Sequence, residues 1–426
     1  MEVLQKYPHP RVVLITRAKT LNLGNEALSV AWRDYLAERY SSAQVRIVER
    51  GPSYLKRYKL AAIKSATDPI KYFDNLVKKE LGRCPPRWAN DPSHWDVAHN
   101  PKQHGVLRFM PLRRALDLRR RLAKLNLGST DYLNRLAYIT SAAMVVVNPA
   151  GEFLHGATDT ALYYLIEARA AQLSGIPTFF VNLSFEIDDQ VLIDIADHVF
   201  SACEAFEFRD MESAEYFCRM GGKAVPIVCP DGAVLSPVDR LEVRGGKGVA
   251  LAINGLQVRE YGFDSNWGSI IEKIGRSNKV TLTSNEPATD RLFWREYLDI
   301  AGVTCDIQTR RFDDYAQFLS GFDVVVSSRL HTCVLGMLAG SPVIPVEIGT
   351  FKLTGFYNQI GMTDEPIRMD EDDWQAKLLE KIDVVSANGV GRIIFQDARL
   401  RVARESLKSG LDGVFTNDLL SESEKN

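Results

Sequence analysis

The chain has 426 residues and a formal net charge of −2 at pH 7, with 46% hydrophobic and 25% charged residues. This composition excludes a largely disordered chain, and the near-zero charge argues against a dedicated nucleic-acid binder. The length suggests two or three domains. The sequence shows no secretory signal and no apolar run close to the roughly 18 residues of a membrane span, so we expect a cytoplasmic protein.

Short apolar runs alternate with longer amphipathic segments from the first predicted strand onward. Residues 12–16 predict a strand, and a turn at 22–25 leads into a helical pattern over 26–39. Because the next strand follows at 44–48, this β-α-β unit predicts a parallel sheet covered by helices. The alternation resumes later, with strands predicted at 144–147, 178–183, 206–209 and 225–228 and helices at 158–173 and 212–220.

The segment 236–248 is the best candidate for a linker, because it combines proline, charge and glycines. A second series follows it, with strands predicted at 249–253, 280–283, 324–327 and 343–347 and helices at 267–274, 290–299, 315–319 and 331–339. We therefore predict an α/β protein with two doubly wound, Rossmann-like domains that face a cleft. The first covers 1–240, the second 241–415, and 416–426 form a flexible tail. A ligand is expected in the cleft, at the carboxyl ends of the strands.

Residues 51–130 interrupt the pattern with a basic, helical insertion. They hold 17 Lys and Arg against 6 Asp and Glu, and Arg119, Arg120 and Arg121 lie in their most basic part. One interpretation is a solvated helical excursion from the first domain. The other is a surface for anionic partners, such as the inner face of the plasma membrane or a lipid-phosphate-linked substrate.

The strongest candidate site follows the predicted strand at 324–327. Ser327 and Ser328 end the strand, and Arg329 and His331 open the next helix. Hydroxyls and free backbone N–H groups at a helix start bind anions, a guanidinium offers a planar fork for phosphate or carboxylate, and imidazole exchanges a proton near neutral pH. The alternative is a helix cap with a surface arginine and a satisfied core histidine.

Four weaker motifs also follow predicted strands, where turns and helix caps would explain each one alone. They are Asn22-x-Gly24-Asn25-Glu26, Arg209-Asp210-x-x-Ser213, Pro230-Asp231 and Lys352-x-x-Gly355. Together they place polar groups that can bind anions at the strand ends of both halves. The acidic run 370–372 could suggest a metal site, but carboxylates also stabilise a helix start, and we assign no metal.

This ordered series resembles the polysaccharide pyruvyl transferase family, whose pattern runs N-x-G-[DN]-E, a small-residue turn, R-D-x-x-S, P-D, S-x-R-x-H and K-x-x-G. The resemblance covers about residues 11–361 without the basic insertion. Two positions depart from the family pattern. The glycine-rich turn reads Asn148-Pro149-Ala150-Gly151-Glu152, and Thr332 follows His331 where glycine is common.

The resemblance implies a two-domain fold like that of GT-B glycosyltransferases. It also implies transfer of pyruvate from phosphoenolpyruvate to a sugar of a polysaccharide or its lipid-linked precursor, as a ketal, with phosphate released. On this basis we expect Arg209 and Arg329 to hold the donor and His331 to act as the acid. The remaining candidates are Ser327, Ser328 and Lys352 for donor binding, and Asn22, Asn25, Glu26, Glu152 and Asp231 for acceptor binding or structure. Phosphoenolpyruvate is a co-substrate, and no cofactor is expected.

Two other functions stay open on the sequence alone. A nucleotide-sugar glycosyltransferase of cell-surface polysaccharide synthesis would share the fold and the anion-binding strand ends. A non-catalytic module would bind an anionic glycan or a membrane surface through the insertion, without turnover.

Overall fold

The computed structural model describes residues 10–17, 22–49, 58–84, 127–154, 158–238, 246–308, 310–363 and 365–416. The most basic part of the insertion and the tail from residue 417 lie outside these residues. Among the described residues, no helix is both long and apolar enough to cross a bilayer.

The first domain is a six-stranded parallel sheet with the strand order β2-β1-β3-β4-β5-β6. Its strands are β1 Arg11–Thr16, β2 Gln44–Glu49, β3 Met144–Val147, β4 Thr178–Leu183, β5 Ala205–Phe208 and β6 Ile227–Val228. Its helices are α1 Leu23–Arg39, α2 Leu60–Lys64, α3 Pro69–Leu81, α4 Leu127–Ile139, α5 Thr158–Leu173, α6 Gln190–Phe200 and α7 Met211–Arg219. Because helices cover both faces, the central strands are buried on both sides and read as continuous apolar runs.

The second domain is a six-stranded parallel sheet with the order β12-β11-β10-β7-β8-β9. Its strands are β7 Val249–Ala252, β8 Val280–Thr283, β9 Val303–Asp306, β10 Val324–Ser327, β11 Val343–Glu347 and β12 Ile367–Arg368. Its helices are α8 Gly255–Glu260, α9 Asp264–Gly275, α10 Pro287–Trp294, α11 Phe312–Leu319, α12 Leu330–Leu338, α13 Lys352–Gln359, α14 Trp374–Ala387 and α15 Gly389–Val414. The prediction of two doubly wound, Rossmann-like α/β domains is confirmed.

An apolar cluster joins the two domains. It runs from β1 through α1 into α11 and α12, and its buried members include Leu14, Leu28, Trp32, Leu319 and Leu335. The backbone N–H of Leu23 also donates a hydrogen bond of 2.9 Å to the carbonyl of Asn285 in the second domain. The start of α1 is therefore held against the second sheet, close to its carboxyl edge.

The last helix, α15, returns to the first domain. Arg404 Nε donates to the Val234 carbonyl at 2.6 Å, and the Phe415 ring packs on Phe179 of β4 with centroids 4.7 Å apart. The predicted second domain, 241–415, therefore contains every strand of the second sheet, but its final segment packs into the core of the first domain.

The described part of the insertion packs onto the first domain. The helix α3 lies beside α5, where Arg169 binds Asp74 with two hydrogen bonds of 2.8 and 3.0 Å. The helical character predicted for the insertion is confirmed for α2 and α3. The predicted anionic partner is not tested, because residues 85–126 lie outside the described part of the chain.

Candidate active site

Arg209 follows β5 directly and is only 3% exposed. Its Nε donates to Ser184 Oγ at 2.7 Å, and its Nη1 donates to Asp231 Oδ2 at 2.8 Å. Its Nη2 has no hydrogen-bond partner among the described residues and turns toward Gly151, lying 3.9 Å from the position that a Cβ of residue 151 would occupy. One end of the guanidinium is therefore fixed, and the other keeps its donors for a ligand.

Lys352, the first residue of α13, reaches the same point. Its Nζ lies 3.6 Å from the same Cβ position at Gly151 and makes no hydrogen bond within the described residues. Burial, followed by the nearby Arg209 charge, lowers the pKa of Lys352 to about 8. Two cationic groups from different domains therefore meet at the turn that follows β3.

Glu347 at the end of β11 holds the helix that carries this lysine. Its carboxylate accepts the backbone N–H of Leu353 at 2.7 Å and that of Thr354 at 3.1 Å, as an acidic group does at a helix N-terminus. Gly355, one turn along, lies so close to Asp210 that a Cβ there would be 2.8 Å from the Asp210 Cβ. The glycine of the K-x-x-G motif therefore lets α13 pack tightly on the start of α7.

Asp231 links Arg209 to His331 across the two domains. It is fully buried, its Oδ1 accepts the Ala233 N–H at 2.8 Å, and its Oδ2 lies 2.8 Å from Arg209 Nη1 and 3.7 Å from His331 Nε2. Burial alone would raise the pKa of Asp231, but the Arg209 guanidinium and the His331 imidazole hold that pKa well below its ordinary value. Asp231 therefore stays ionised between them.

His331 lies in the first turn of α12, with its side chain 11% exposed. Its Nε2 is buried and has no hydrogen-bond partner among the described residues. The other side of the ring packs against Gly24 of α1, where a Cβ would lie only 2.1 Å from Nδ1. The glycine of the N-terminal motif therefore lets the two domains close on His331.

Arg329 is bound differently from what the sequence suggested. Its Nε and Nη2 donate to Asp290 at 2.9 and 2.6 Å, and its Nη1 donates to Glu286 at 2.6 Å. Its guanidinium is therefore not open to an anion in this arrangement, and a donor contact would require a change of partner. Sequence reasoning missed both carboxylates, because they lie about 40 residues before the arginine.

The hydroxyls of the two serines in the same motif form hydrogen bonds with backbone groups. Ser327 Oγ donates to the Ala252 carbonyl at 2.9 Å and accepts the Arg329 N–H at 3.0 Å. Ser328 Oγ accepts the Asn254 N–H at 2.7 Å. These bonds tie the ends of β7 and β10 together, and donor binding by either serine stays a prediction.

The residues of the N-terminal motif, 22–26, lie at the start of α1, where the first domain meets the second. Asn22 caps α1 by accepting the Gly24 N–H at 3.0 Å, and its Nδ2 donates to Glu286 of the other domain at 3.4 Å. Asn25 is buried in α1, and burial raises the pKa of Glu26, which faces Arg311 at the start of α11. Contact of Asn25 or Glu26 with an acceptor is not tested.

Arg17 is a further cation at this edge that the sequence motifs did not include. It follows β1 directly, as Arg209 follows β5, and its Nη1 is hydrogen-bonded to Glu152. That strand-end position was the signal available in the sequence.

Within the same turn as Glu152, Ala150 has φ +51°, in the left-handed region that glycine usually occupies. Among the described residues, no group of three or more His, Cys, Asp or Glu side chains could hold a metal ion.

Comparison with solved structures finds distant likenesses that cover most of the chain. Acinetobacter baumannii MurG has a TM-score of 0.46 at 10% identity, over 97% of this chain and 100% of that chain. A complex of S. aureus MnaA with UDP has a TM-score of 0.46 at 10% identity, over 88% of both chains. The UDP-GlcNAc 2-epimerase from Neisseria meningitidis bound to UDP-GlcNAc has the same TM-score and identity, over 88% of this chain and 91% of that one. Likenesses at this level assign no activity.

No curated protein matches the sequence. A family model described as polysaccharide pyruvyl transferase matches residues 22–349, which is most of the chain. The match spans the turn after β3 and the strand ends that carry Arg209, Asp231 and His331. It confirms the resemblance drawn from the ordered motifs and indicates a transferase. The chain therefore belongs to the polysaccharide pyruvyl transferase family.

Proposed function

We propose that the enzyme transfers pyruvate from phosphoenolpyruvate to a sugar, forming a ketal that bridges two hydroxyls and releasing phosphate. The observation that carries this proposal is the meeting of Arg209 Nη2 and Lys352 Nζ at Gly151, while Nη1 of the same arginine binds Asp231, which lies 3.7 Å from His331 Nε2. Arg209 Nη2 and Lys352 Nζ donate to none of the described residues there. The donor is small and carries a phosphate and a carboxylate, which suit a guanidinium and an ammonium placed side by side.

The reaction needs one proton at carbon and two attacks by oxygen. Protonation of the methylene carbon turns the CH₂ group into CH₃ and leaves a cationic centre, which the first acceptor hydroxyl attacks. Loss of phosphate restores a cationic centre, and the second hydroxyl closes the ketal. Of the two hydroxyl protons released, one replaces the proton given to carbon and the other leaves with phosphate.

We assign the acid to His331, because its buried Nε2 has no partner among the described residues and lies 3.7 Å from the ionised Asp231. The Asp231 carboxylate lies close enough to orient the imidazole ring, so that a proton on the ring can be given to the donor. Arg209 and Lys352 then stabilise the leaving phosphate by charge.

The acceptor is proposed as a glycan, either within a polysaccharide or on a lipid-linked precursor. We retain the cytoplasm as the place of reaction. The basic insertion would supply a peripheral contact with the membrane, but its most basic residues lie outside the described part of the chain. Glu152, which follows Gly151 in the chain and is hydrogen-bonded to Arg17, is the proposed acceptor-side carboxylate.

Phosphate release from phosphoenolpyruvate, with and without candidate glycans, tests the donor. We expect Arg209→Ala and His331→Ala each to lower kcat/KM by about 10²- to 10⁴-fold, as for other contacts specific to the transition state. Arg169→Ala is the control, since Arg169 also binds a carboxylate, that of Asp74, but outside the cleft, and its loss should leave the rate unchanged.

Two results would reject this function. One is phosphate release that survives both substitutions. The other is turnover of a nucleotide sugar with no reaction of phosphoenolpyruvate, which would favour the glycosyltransferase alternative.

A further inference from the structure

The ion pair of Arg329 has two unequal halves. Asp290 takes two of its nitrogens, is completely buried, and also accepts the Ser284 hydroxyl at 2.5 Å and the Gly255 N–H at 3.1 Å. Glu286 takes only Nη1, at 2.6 Å, and its side chain is 22% exposed. Among the described residues, its other side-chain hydrogen bond is the long one of 3.4 Å from Asn22. The Asp290 carboxylate is therefore fixed by several hydrogen bonds in the interior, whereas the partly exposed Glu286 carboxylate has one short hydrogen bond to Arg329.

The charges that the described residues bring to the cleft are almost balanced. Electrostatic contacts and ion pairs connect the cations Arg17, Arg209, Arg329 and Lys352 with the carboxylates Glu152, Glu186, Asp231, Glu286 and Asp290. Phosphoenolpyruvate would add about three negative charges at neutral pH. A site that binds such a donor has to move or neutralise a carboxylate of its own, because like charges repel strongly in a partly buried cleft.

We propose that the Glu286 carboxylate occupies the place on Arg329 that an anionic group of the donor takes, and that it leaves when the donor binds. This inference rests on the proposed function, because it assumes an anionic donor at Arg329. Glu286 is the carboxylate that can leave at least cost, since it has one strong contact and access to water. Asp290 keeps Nε and Nη2 throughout, so the guanidinium stays in place while Nη1 changes partner.

The exchange also reaches the first domain. Asn22 donates to Glu286 and accepts from Asn285 Nδ2 at 3.2 Å, and Leu23 stays bonded to the Asn285 carbonyl. Departure of Glu286 breaks the weakest of these three contacts and leaves the other two. The domains therefore stay joined at this point while the Glu286 side chain moves.

Isothermal titration of phosphoenolpyruvate at constant ionic strength tests the proposal. We expect Glu286→Gln to bind the donor about 5- to 20-fold more tightly than the wild type, because the competing charge is gone while the shape is kept. Glu286→Ala, which also removes the acceptor oxygen, should tighten binding at least as much and serves if the first variant folds poorly. Glu365→Gln is the matched control, since Glu365 binds Arg392 at 2.6 Å away from the cleft and should leave affinity unchanged.

Unchanged or weaker binding in the Glu286 variants would overturn the inference, and weaker binding would mean that Glu286 positions Arg329 for the donor. If the wild type does not bind phosphoenolpyruvate, the proposed donor is wrong. The same titrations with inorganic phosphate then decide the role of Glu286 separately, because tighter binding by the variants supports the exchange and any other result rejects it.

Discussion

Gly24→Ala tests whether the approach of the two domains to His331 matters for activity. A Cβ at residue 24 would lie 2.1 Å from Nδ1 and 2.3 Å from the Cβ of His331, whereas ordinary contacts of this kind begin near 3.4 Å. The gap must therefore open by about 1.3 Å. The ring cannot retreat straight toward Asp231, because Nε2 is already 3.7 Å from Oδ2 and would come within about 2.4 Å.

Turning the ring would not relieve the 2.3 Å contact with the His331 Cβ, so the substitution must also part the domains where α1 meets α12. A misplacement of about 1 Å in a catalytic group costs roughly 10²-fold in rate, and overpacking costs about 1–3 kcal/mol of stability. We expect kcat for phosphate release to fall by about that factor while the protein stays folded. Rates and denaturant unfolding curves measured on the same preparation separate the two effects.

Gly413→Ala is the matched control, because Gly413 also lies in a helix but has nothing within 4 Å of the added methyl group. It should keep the full rate and gain a little stability from its helix propensity. A Gly24→Ala variant with the rate of the wild type would refute the argument, since it would show that the geometry around His331 tolerates the displacement.

Two further predictions concern ionisation. The pKa of Lys352 is lowered to about 8, so kcat/KM for the donor should fall as the pH rises through 8 and the ammonium is lost. Lys352→Arg should abolish that limb of the pH profile, and a limb that persists in this variant would assign it to another group. Burial raises the pKa of Glu207 in β5 well above its ordinary value of 4.5. The protonated Glu207 is therefore compatible with the fold at low pH, and stability is lost as the pH rises from 4.5, the pKa in the unfolded chain, toward the raised pKa in the folded protein. Glu207→Gln should therefore stabilise the protein by about 1–3 kcal/mol at pH 8 and much less at pH 5, and equal gains in denaturant unfolding at both pH values would contradict this account.

The strands were the most predictable part of the fold. The bounds of β3, β4, β8, β10 and β11 match the predictions, because strands buried on both faces leave a continuous apolar run in the sequence. The edge strands β9 and β12 left a weaker signal. β9 is only half-buried, and β12 has two residues. The helix α15 was missed because glycines interrupt it and its buried face is shared between the two domains: Gln396 donates to the Val343 carbonyl of β11, and Arg404 donates to the Val234 carbonyl of the first domain.

The candidate site was predictable only in part. Residues directly after buried strands had to meet at the carboxyl edges of the sheets, and the structure brings Arg209, Asp231, His331 and Lys352 together there. The partners of Arg329 could not be predicted, since Glu286 and Asp290 approach it only through the pairing of β7 with β8 and β10. No local pattern encodes a contact over about 40 residues.

The return of α15 to the first domain has a practical consequence for anyone dividing this chain into fragments. A fragment of the first half that stops at the linker would lack Phe415, so the apolar surface around Phe179 would be exposed to water. A fragment of the second half would expose the apolar side chains with which the end of α15 contacts the first domain. Each piece expressed alone should aggregate. Mixing the two, or expressing them from one plasmid, should recover soluble material.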